Sequence, residues 1–235
     1  VATWNNFGEP DLRVELPSFA KLAEQHDKDQ DGRLSKNECP GDLAMTRRPD
    51  ASGAQGGELT AKMFFDRIDA DKDGHVSSLE WTGAMALLKL MLASAEHGLL
   101  AIKSGGEGDV TRTHVAWQEK RNIPEVPSPL AYGGRVYVVR NGGVLTCLEG
   151  ETGRIVFRQR LGAPGSYYSS PVAGDGKVYL ASQDGMLVVL AAGETFQVLA
   201  RNELAEAVFA TPAISDGTLY VRTAGHLWAF RNDAE

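Results

Sequence analysis

Cysteine is scarce in this sequence, which excludes the disulfide-rich class of small secreted domains. Cys39 and Cys147 are the only two, and neither belongs to a CxxC motif of the kind that binds metal or carries out redox chemistry. Long apolar runs are also missing. The most apolar stretch, residues 84–102, is interrupted by charged side chains, so we predict no membrane span.

Basic residues are outnumbered, with 24 Lys and Arg against 31 Asp and Glu and a formal net charge of −7. A nucleic-acid-binding surface needs clustered positive charge, so we expect no nucleic-acid partner. The sequence contains no GxSxG, HExxH, Walker or GxGxxG motif, and we therefore predict no catalytic residue. Its 43% hydrophobic content is sufficient for a folded core, and 235 residues suit one or two domains.

Two acidic segments, Asp27–Glu38 and Asp69–Glu80, both have the pattern D-x-D-x-D-G-x5-E of an EF-hand calcium loop. Aspartates at positions 1, 3 and 5 and the position-12 glutamate offer hard oxygen ligands, position 7 offers its carbonyl, and the position-9 serine acts through a water. The predicted ligands are Asp27, Asp29, Asp31, Arg33, Ser35 and Glu38 for one ion, and Asp69, Asp71, Asp73, His75, Ser77 and Glu80 for the other. We expect two Ca²⁺ ions, because seven oxygens with a bidentate glutamate do not suit Mg²⁺.

The residues around these loops indicate helices with a buried face. Leu34 and Val76, at position 8 of each loop, are predicted to form the short strand pair that joins the two loops. The segment Pro40-Gly41 follows the first loop closely, so we expect the first exit helix to be truncated or kinked. Residues 49–57 are predicted to be a flexible linker within the pair.

The second half of the sequence repeats. Ser128-Pro129, Ser170-Pro171 and Thr211-Pro212 lie 42 and then 41 residues apart, and a Tyr-centred strand follows each of them in the same register. A period of about 40 to 45 residues with four short strands is typical of a β-propeller blade. The repeat resembles the PQQ-like (quinoprotein-type) propeller repeat over residues 114–230. Where that family has a closing Trp, this sequence has Phe157.

Together these patterns predict an α+β multidomain chain. An all-α EF-hand pair with flanking helices is expected over residues 1–103, and a linker with an outer strand of a preceding blade over 104–127. Residues 128–235 are then antiparallel PQQ-like β-propeller blades. They supply about three blades, whereas closed propellers use about four to eight, so we expect a partial propeller. Because the chain begins with Val-Ala, we expect it to be processed or a fragment of a longer protein.

We expect the two calcium ions to stabilise a module attached to a propeller that serves as a protein-interaction scaffold. The resemblance implies an extracytoplasmic bacterial protein, periplasmic or secreted, with a protein partner bound through the propeller loops or the missing blades. One alternative is a PQQ-dependent quinoprotein dehydrogenase. We expect neither PQQ nor an enzyme, because EF-hand loops would hold calcium away from a quinone. A second alternative is a calcium-regulated conformational switch that moves the helix after the second loop.

Overall fold

The computed structural model describes residues 2–3, 14–46, 59–94 and 97–231. The chain divides into two compact units, one comprising Asn5–Glu96 and the other His97–Glu235 together with Val1–Trp4. The linker predicted at residues 49–57 lies outside the described residues.

The described elements are helices in the first unit and antiparallel strands in both. In chain order they are β1 (Ala2–Thr3), α1 (Phe19–His26), β2 (Leu34–Ser35), β3 (Ala44–Thr46), β4 (Leu59–Thr60), α2 (Phe65–Ile68), β5 (His75–Val76), α3 (Ser78–Ser94), β6 (Gly98–Ile102), β7 (Val115–Glu119), β8 (Leu130–Tyr132), β9 (Arg135–Arg140), β10 (Val144–Glu149), β11 (Ile155–Arg160), β12 (Val172–Gly174), β13 (Lys177–Ala181), β14 (Met186–Ala191), β15 (Val198–Glu203), β16 (Ala213–Ser215), β17 (Thr218–Arg222) and β18 (Leu227–Arg231).

The unit Asn5–Glu96 has its own apolar core. Ser18 caps α1 by accepting a hydrogen bond from the Lys21 amide at 3.4 Å, and the indole Nε1 of Trp81 donates to the Pro17 carbonyl at 3.1 Å. That bond attaches α3 to the chain just before α1. The buried residues of this core are Phe19, Leu22, Leu34, Cys39, Ala61, Phe65, Ile68, Val76 and Trp81.

The residues after the first acidic loop form a turn and the short strand β3. Among residues 36–46 no helix follows Glu38. Pro40, which lacks an amide hydrogen, and the adjacent Gly41 both oppose a helix at this point. Instead β3 pairs antiparallel with β4, with Ala44 opposite Thr60. The first exit helix was predicted to be truncated or kinked; in residues 36–46 a turn and strand β3 replace it entirely.

The other unit consists of antiparallel sheets formed by strands that are neighbours in sequence. Strands β8 to β11 form one four-stranded sheet and β12 to β15 form another, while β16, β17 and β18 form a sheet of three. A further sheet has the order β1-β6-β7. Strand β6 belongs to this unit because it pairs with β7, although the sequence prediction extended the helical module to residue 103.

Hydrogen bonds between equivalent residues connect successive sheets and explain the repeated Ser/Thr-Pro landmarks. The Ser128 amide donates to Oγ of Ser170 at 2.9 Å, and the Ser170 amide donates to Oγ1 of Thr211 at 3.0 Å. Each hydroxyl therefore accepts a bond from the landmark one repeat earlier. The same contact therefore recurs from each repeat to the next.

The main core of this unit lies between the two four-stranded sheets. Alternate residues of β9, β10, β13 and β14 enter this core, because successive side chains of a strand point to opposite faces. Val138 of β9 and Leu148 of β10 are also buried, and they belong to a separate apolar cluster on the other face. Tyr137 is 1% exposed, and its hydroxyl accepts a hydrogen bond from the Gly193 amide at 2.9 Å. The buried members of this core are Tyr137, Val139, Leu145, Cys147, Leu161, Ala163, Tyr167, Val178, Leu180, Val188 and Leu190.

Within the part of the chain that the structure describes, no helix combines the length and apolar character needed to cross a bilayer. This agrees with the sequence prediction of no membrane-spanning helix.

The turn between β9 and β10 provides a test of this packing. Gly142 and Gly143 both have positive φ, +79° and +67°, but a Cβ at Gly142 would meet no heavy atom within 4 Å, whereas one at Gly143 would lie 2.3 Å from the Ala163 carbonyl oxygen. We expect Gly142→Ala to lower the free energy of unfolding by about 1 to 2 kcal/mol through backbone strain alone. Gly143→Ala should cost about 1 to 3 kcal/mol more, because the turn must move away from the neighbouring backbone. Urea unfolding of both variants measures the difference, and equal losses would contradict this packing.

Candidate metal centres

The first acidic loop begins where α1 ends. Asp27 is the C-cap residue of α1, and its carboxylate lies with those of Asp29 and Glu38 in a group whose ligand oxygens are all within 4.8 Å of one another. Asp31 stands outside this group and accepts the Arg33 amide at 2.7 Å. The loop therefore brings together the position-1, position-3 and position-12 carboxylates that the sequence predicted as ligands.

The second loop repeats the arrangement after α2. Asp69 is the C-cap residue of that helix, and the carboxylate oxygens of Asp69, Asp71 and Asp73 lie within 4.8 Å of one another. Glu80 stands outside this group and accepts the Ala70 amide at 2.9 Å, just as Glu38 accepts the corresponding amide in the first loop at 3.0 Å. The two loops thus share most of their hydrogen bonds, while different carboxylates come closest together.

The backbone of both loops makes the same sharp turn. Position 4, Gln30 or Lys72, has a φ of 60°, and the position-6 glycines have φ values of +81° and +87°. The Gly32 amide donates to Oδ2 of Asp27 at 3.0 Å, and the Gly74 amide makes the equivalent bond at 3.1 Å. Glycine is favoured at position 6 because a positive φ is strained for most residues that carry a side chain. The turn therefore folds each loop back onto its first aspartate.

A buried carboxylate oxygen in each loop has no hydrogen-bond partner. Oδ1 of Asp27 and Oδ1 of Asp69 are both inaccessible to solvent and unsatisfied. An unpaired buried carboxylate oxygen is unfavourable, so this position suits a cation in direct contact with it. The side-chain atoms grouped with each of these oxygens are carboxylate oxygens, the ligand type that Ca²⁺ prefers. The residues present therefore fit a calcium ion in each loop.

The position-9 serines bind the position-12 glutamates directly. Oγ of Ser35 donates to Oε2 of Glu38 at 2.7 Å, and Oγ of Ser77 donates to Oε2 of Glu80 at the same distance. Each Glu Oε2 also accepts the amide of its serine, at 2.9 Å and 2.8 Å. In the second loop this is the capping box of α3, because the Glu80 amide in turn donates to Oγ of Ser77 at 3.3 Å. The S-x-x-E pattern of a capping box is present in the sequence, but the sequence prediction assigned these residues to the calcium loop alone.

These bonds hold both glutamates ionised. Donation by the Ser35 hydroxyl and amide, with the Lys28 amide, lowers the pKa of Glu38 from 4.5 to about 2. The Ser77 amide, followed by its hydroxyl, lowers the pKa of Glu80 to about 2. Hydrogen bonds to a carboxylate favour its charged form. Both position-12 residues are therefore negatively charged at neutral pH, the form in which a carboxylate binds calcium.

The two loops are joined by the β2–β5 pair. Leu34 lies opposite Val76, as the sequence predicted, and both side chains are buried. Arg33 and His75, the position-7 residues expected to offer their carbonyls, stand at or beside this pair. The guanidinium Nη1 of Arg33 contacts Oδ2 of Asp73 in the opposite loop at 2.5 Å. Sequence spacing within one loop contains no signal for this contact between loops.

The two cysteines are buried free thiols in different units. Burial raises the pKa of both thiols, that of Cys147 to about 11. Both are consequently protonated at neutral pH, and neither lies in the acidic groups described above.

Family comparisons agree with both units. A model of the PQQ_2 family, described as outer membrane protein assembly factor BamB, matches residues 104–233. This chain belongs to the PQQ_2 family. An EF-hand family model matches residues 61–85 of the same PQQ_2 chain, a segment that contains the second loop. The predicted PQQ-like repeat and the predicted EF-hand are thereby confirmed. No curated protein matches the chain in sequence.

Solved structures with similarity to this PQQ_2 chain cover only part of it. BamB from Moraxella catarrhalis is 22% identical, with 49% of this chain and 36% of that chain covered and a TM-score of 0.42. Quinohemoprotein alcohol dehydrogenase ADHIIG from Pseudomonas putida HK5 is 17% identical over 43% of this chain and 17% of its own, with a TM-score of 0.38. The Comamonas testosteroni quinohemoprotein alcohol dehydrogenase is 18% identical, with 42% of this chain and 17% of that chain covered and a TM-score of 0.36. The chain thus spans little more than a third of the BamB structure.

Removing one serine hydroxyl tests the hydrogen bonds of the second loop. In metal-stripped Ser77→Ala protein, the pKa of Glu80 should rise from about 2 toward its ordinary 4.5, because one donor to the carboxylate is lost. A pKa depressed by folding stabilises the protein above about 4.5, and this stabilisation is lost as the pH falls toward 2. The variant should therefore lose less stability over that range. NMR titration of the ¹³C-labelled carboxyl group gives the pKa directly.

Ser78→Ala is the matched control, because Ser78 is the exposed neighbouring serine. An unchanged Glu80 pKa in Ser77→Ala, or an equal rise in Ser78→Ala, would contradict the assigned hydrogen bond.

Proposed function

We propose that this chain is a calcium-binding protein in which the two EF-hand loops each hold one Ca²⁺ and stabilise a module attached to a PQQ-like propeller. The observation that carries the proposal is the pair of buried, unpartnered oxygens, Oδ1 of Asp27 and Oδ1 of Asp69. They occupy the same position in two loops that share most of their other hydrogen bonds. A cation is the partner that such an oxygen lacks.

The proposed ligands are those of the EF-hand pattern. The side chains are contributed by Asp27, Asp29, Asp31, Ser35 and Glu38 in the first loop and by Asp69, Asp71, Asp73, Ser77 and Glu80 in the second, and Arg33 and His75 contribute their carbonyls. Ser35 and Ser77 already contact the position-12 carboxylates, so they would also fix the orientation of Glu38 and Glu80 toward an ion. When bound, the ion supplies charge neutralisation and crosslinking rather than a reaction step.

We further propose that residues 104–127 are a linker with an outer strand and that residues 128–235 supply about three blades of a partial propeller, namely the sheets β8–β11, β12–β15 and β16–β18. The bonds from Ser128 to Ser170 and from Ser170 to Thr211 support this, because they relate each sheet to the next in the same way. The sheet β1-β6-β7 supports an additional outer strand before the first blade, at Val115–Glu119.

The propeller is proposed to be a scaffold for a protein partner in the periplasm or outside the cell. An aromatic pair at equivalent repeat positions supports this: the rings of Tyr168 and Phe209 lie 5.5 Å apart, and the residues are 41% and 54% exposed. Exposed aromatic side chains are enriched at protein interfaces. Tyr167, in contrast, is fully buried and packs in the core. The family description as an assembly factor is consistent with such a role.

Calorimetric titration of metal-stripped protein tests the calcium proposal. Wild type should bind two Ca²⁺, and at a free calcium concentration of 100 times Kd each site should add about 2.7 kcal/mol to the free energy of unfolding. Glu38→Gln and Glu80→Gln should each remove one ion, by weakening their site about a hundredfold, because a charged ligand is lost.

Glu24→Gln is the control, since it makes the same charge change at an exposed position of α1 outside both loops. It should bind two ions. Wild-type protein that binds no calcium and melts identically with and without it would reject the proposal.

A further inference from the structure

The positively charged side chain of Arg33, in the first loop, forms an ion pair with Asp73, a candidate calcium ligand of the second loop. Arg33 is position 7 of the first loop, and its Nη1 lies 2.5 Å from Oδ2 of Asp73, which is position 5 of the second loop. The β2–β5 pairing brings these two loops side by side. The side chains are 51% and 36% exposed, so the pair lies at the surface beside the acidic group of Asp69, Asp71 and Asp73.

The contact is not reciprocated. The corresponding position of the second loop is His75, whose Nδ1 lies 3.4 Å from the carbonyl oxygen of Asp73 in its own loop. Asp31, the position-5 carboxylate of the first loop, accepts the backbone amide of Arg33. Among the described residues, therefore, the guanidinium of Arg33 crosses to the second loop and no side chain of the second loop forms an ion pair with Asp31.

We propose that Arg33 lowers the calcium affinity of the second loop and so makes the two sites unequal. EF-hand affinity depends on the number of charged ligands, and a guanidinium that shares Asp73 reduces the negative potential of that loop alone. Arginine keeps its charge at every physiological pH, so this effect is permanent. Solvent screens an exposed pair, which limits its magnitude.

This inference rests on the proposed calcium function, and calorimetry can separate the two. Glu38→Gln silences the first loop, so calcium binding to that protein reports the second loop. In this background, Arg33→Gln should tighten the calcium Kd about three- to fivefold, because the neutral side chain no longer offsets the negative charge of Asp73. Arg33→Lys should stay near the parent, because it retains the charge. The gain from Arg33→Gln should also shrink at 1 M salt, where the Debye length is about 3 Å.

Lys89→Gln is the matched control, since it removes the same charge from an exposed site on α3, nine residues beyond Glu80 and so about 13 Å along the helix. It should leave the calcium Kd within about twofold of the parent. An unchanged or weaker Kd in Arg33→Gln, or an equal gain in Lys89→Gln, would overturn the inference while leaving calcium binding intact.

Two further outcomes are informative. If Glu38→Gln protein binds no calcium although wild type does, the same variants are compared in the wild-type background, where Arg33→Gln should tighten one of the two sites. Wild-type protein that binds no calcium at all would reject the proposed function and this inference together.

Discussion

Electrostatic repulsion among carboxylates is the constraint on which the first unit depends. Each acidic loop turns back on itself through a position-6 glycine, so that three carboxylates share a space of less than 5 Å. Backbone amides satisfy many of the oxygens, but Oδ1 of Asp27 and Oδ1 of Asp69 remain buried and unpaired. A divalent cation in each loop would relieve the repulsion there and satisfy the unpaired oxygen of that loop. Calcium would therefore stabilise the folded loops by supplying positive charge and a partner for the unpaired carboxylate oxygens.

The two loops are parts of one folded module, because they share a strand pair and an apolar core. The β2–β5 pair joins them through Leu34 and Val76, which also belong to the apolar core. Trp81 of α3 completes that core and bonds to the carbonyl before α1. An ion bound in either loop would therefore stabilise the packing of the helices that both loops share. The second unit holds its sheets in register differently, through hydroxyl groups repeated at the same position of successive sheets.

Much of this was readable in the sequence because local spacing encodes it. The EF-hand pattern predicted two groups of carboxylates, although Asp31 and Glu80 lie outside the groups that the structure brings together, and the Tyr-centred repeat predicted antiparallel sheets. Other features depend on packing between distant segments, so local patterns did not reveal them. Strand β6 begins only a few residues after α3 ends, and its pairing with β7 is what assigns it to the second unit. The bond from Ser35 to Glu38 was masked by the calcium pattern, which uses the same residues, and the contact of Arg33 with Asp73 arises only when the loops are side by side.

The most direct test of this account is residue-resolved. In ¹⁵N-labelled, metal-stripped protein, the amides of Gly32 and Gly74 report the first carboxylate of each loop, because each donates to the aspartate that carries the unpaired oxygen. Both signals should shift and saturate as calcium is added, while the amide of Gly133, in a turn of the other unit, should stay in place. If neither glycine signal responds to calcium, the two loops do not hold the ion, and the central claim is contradicted.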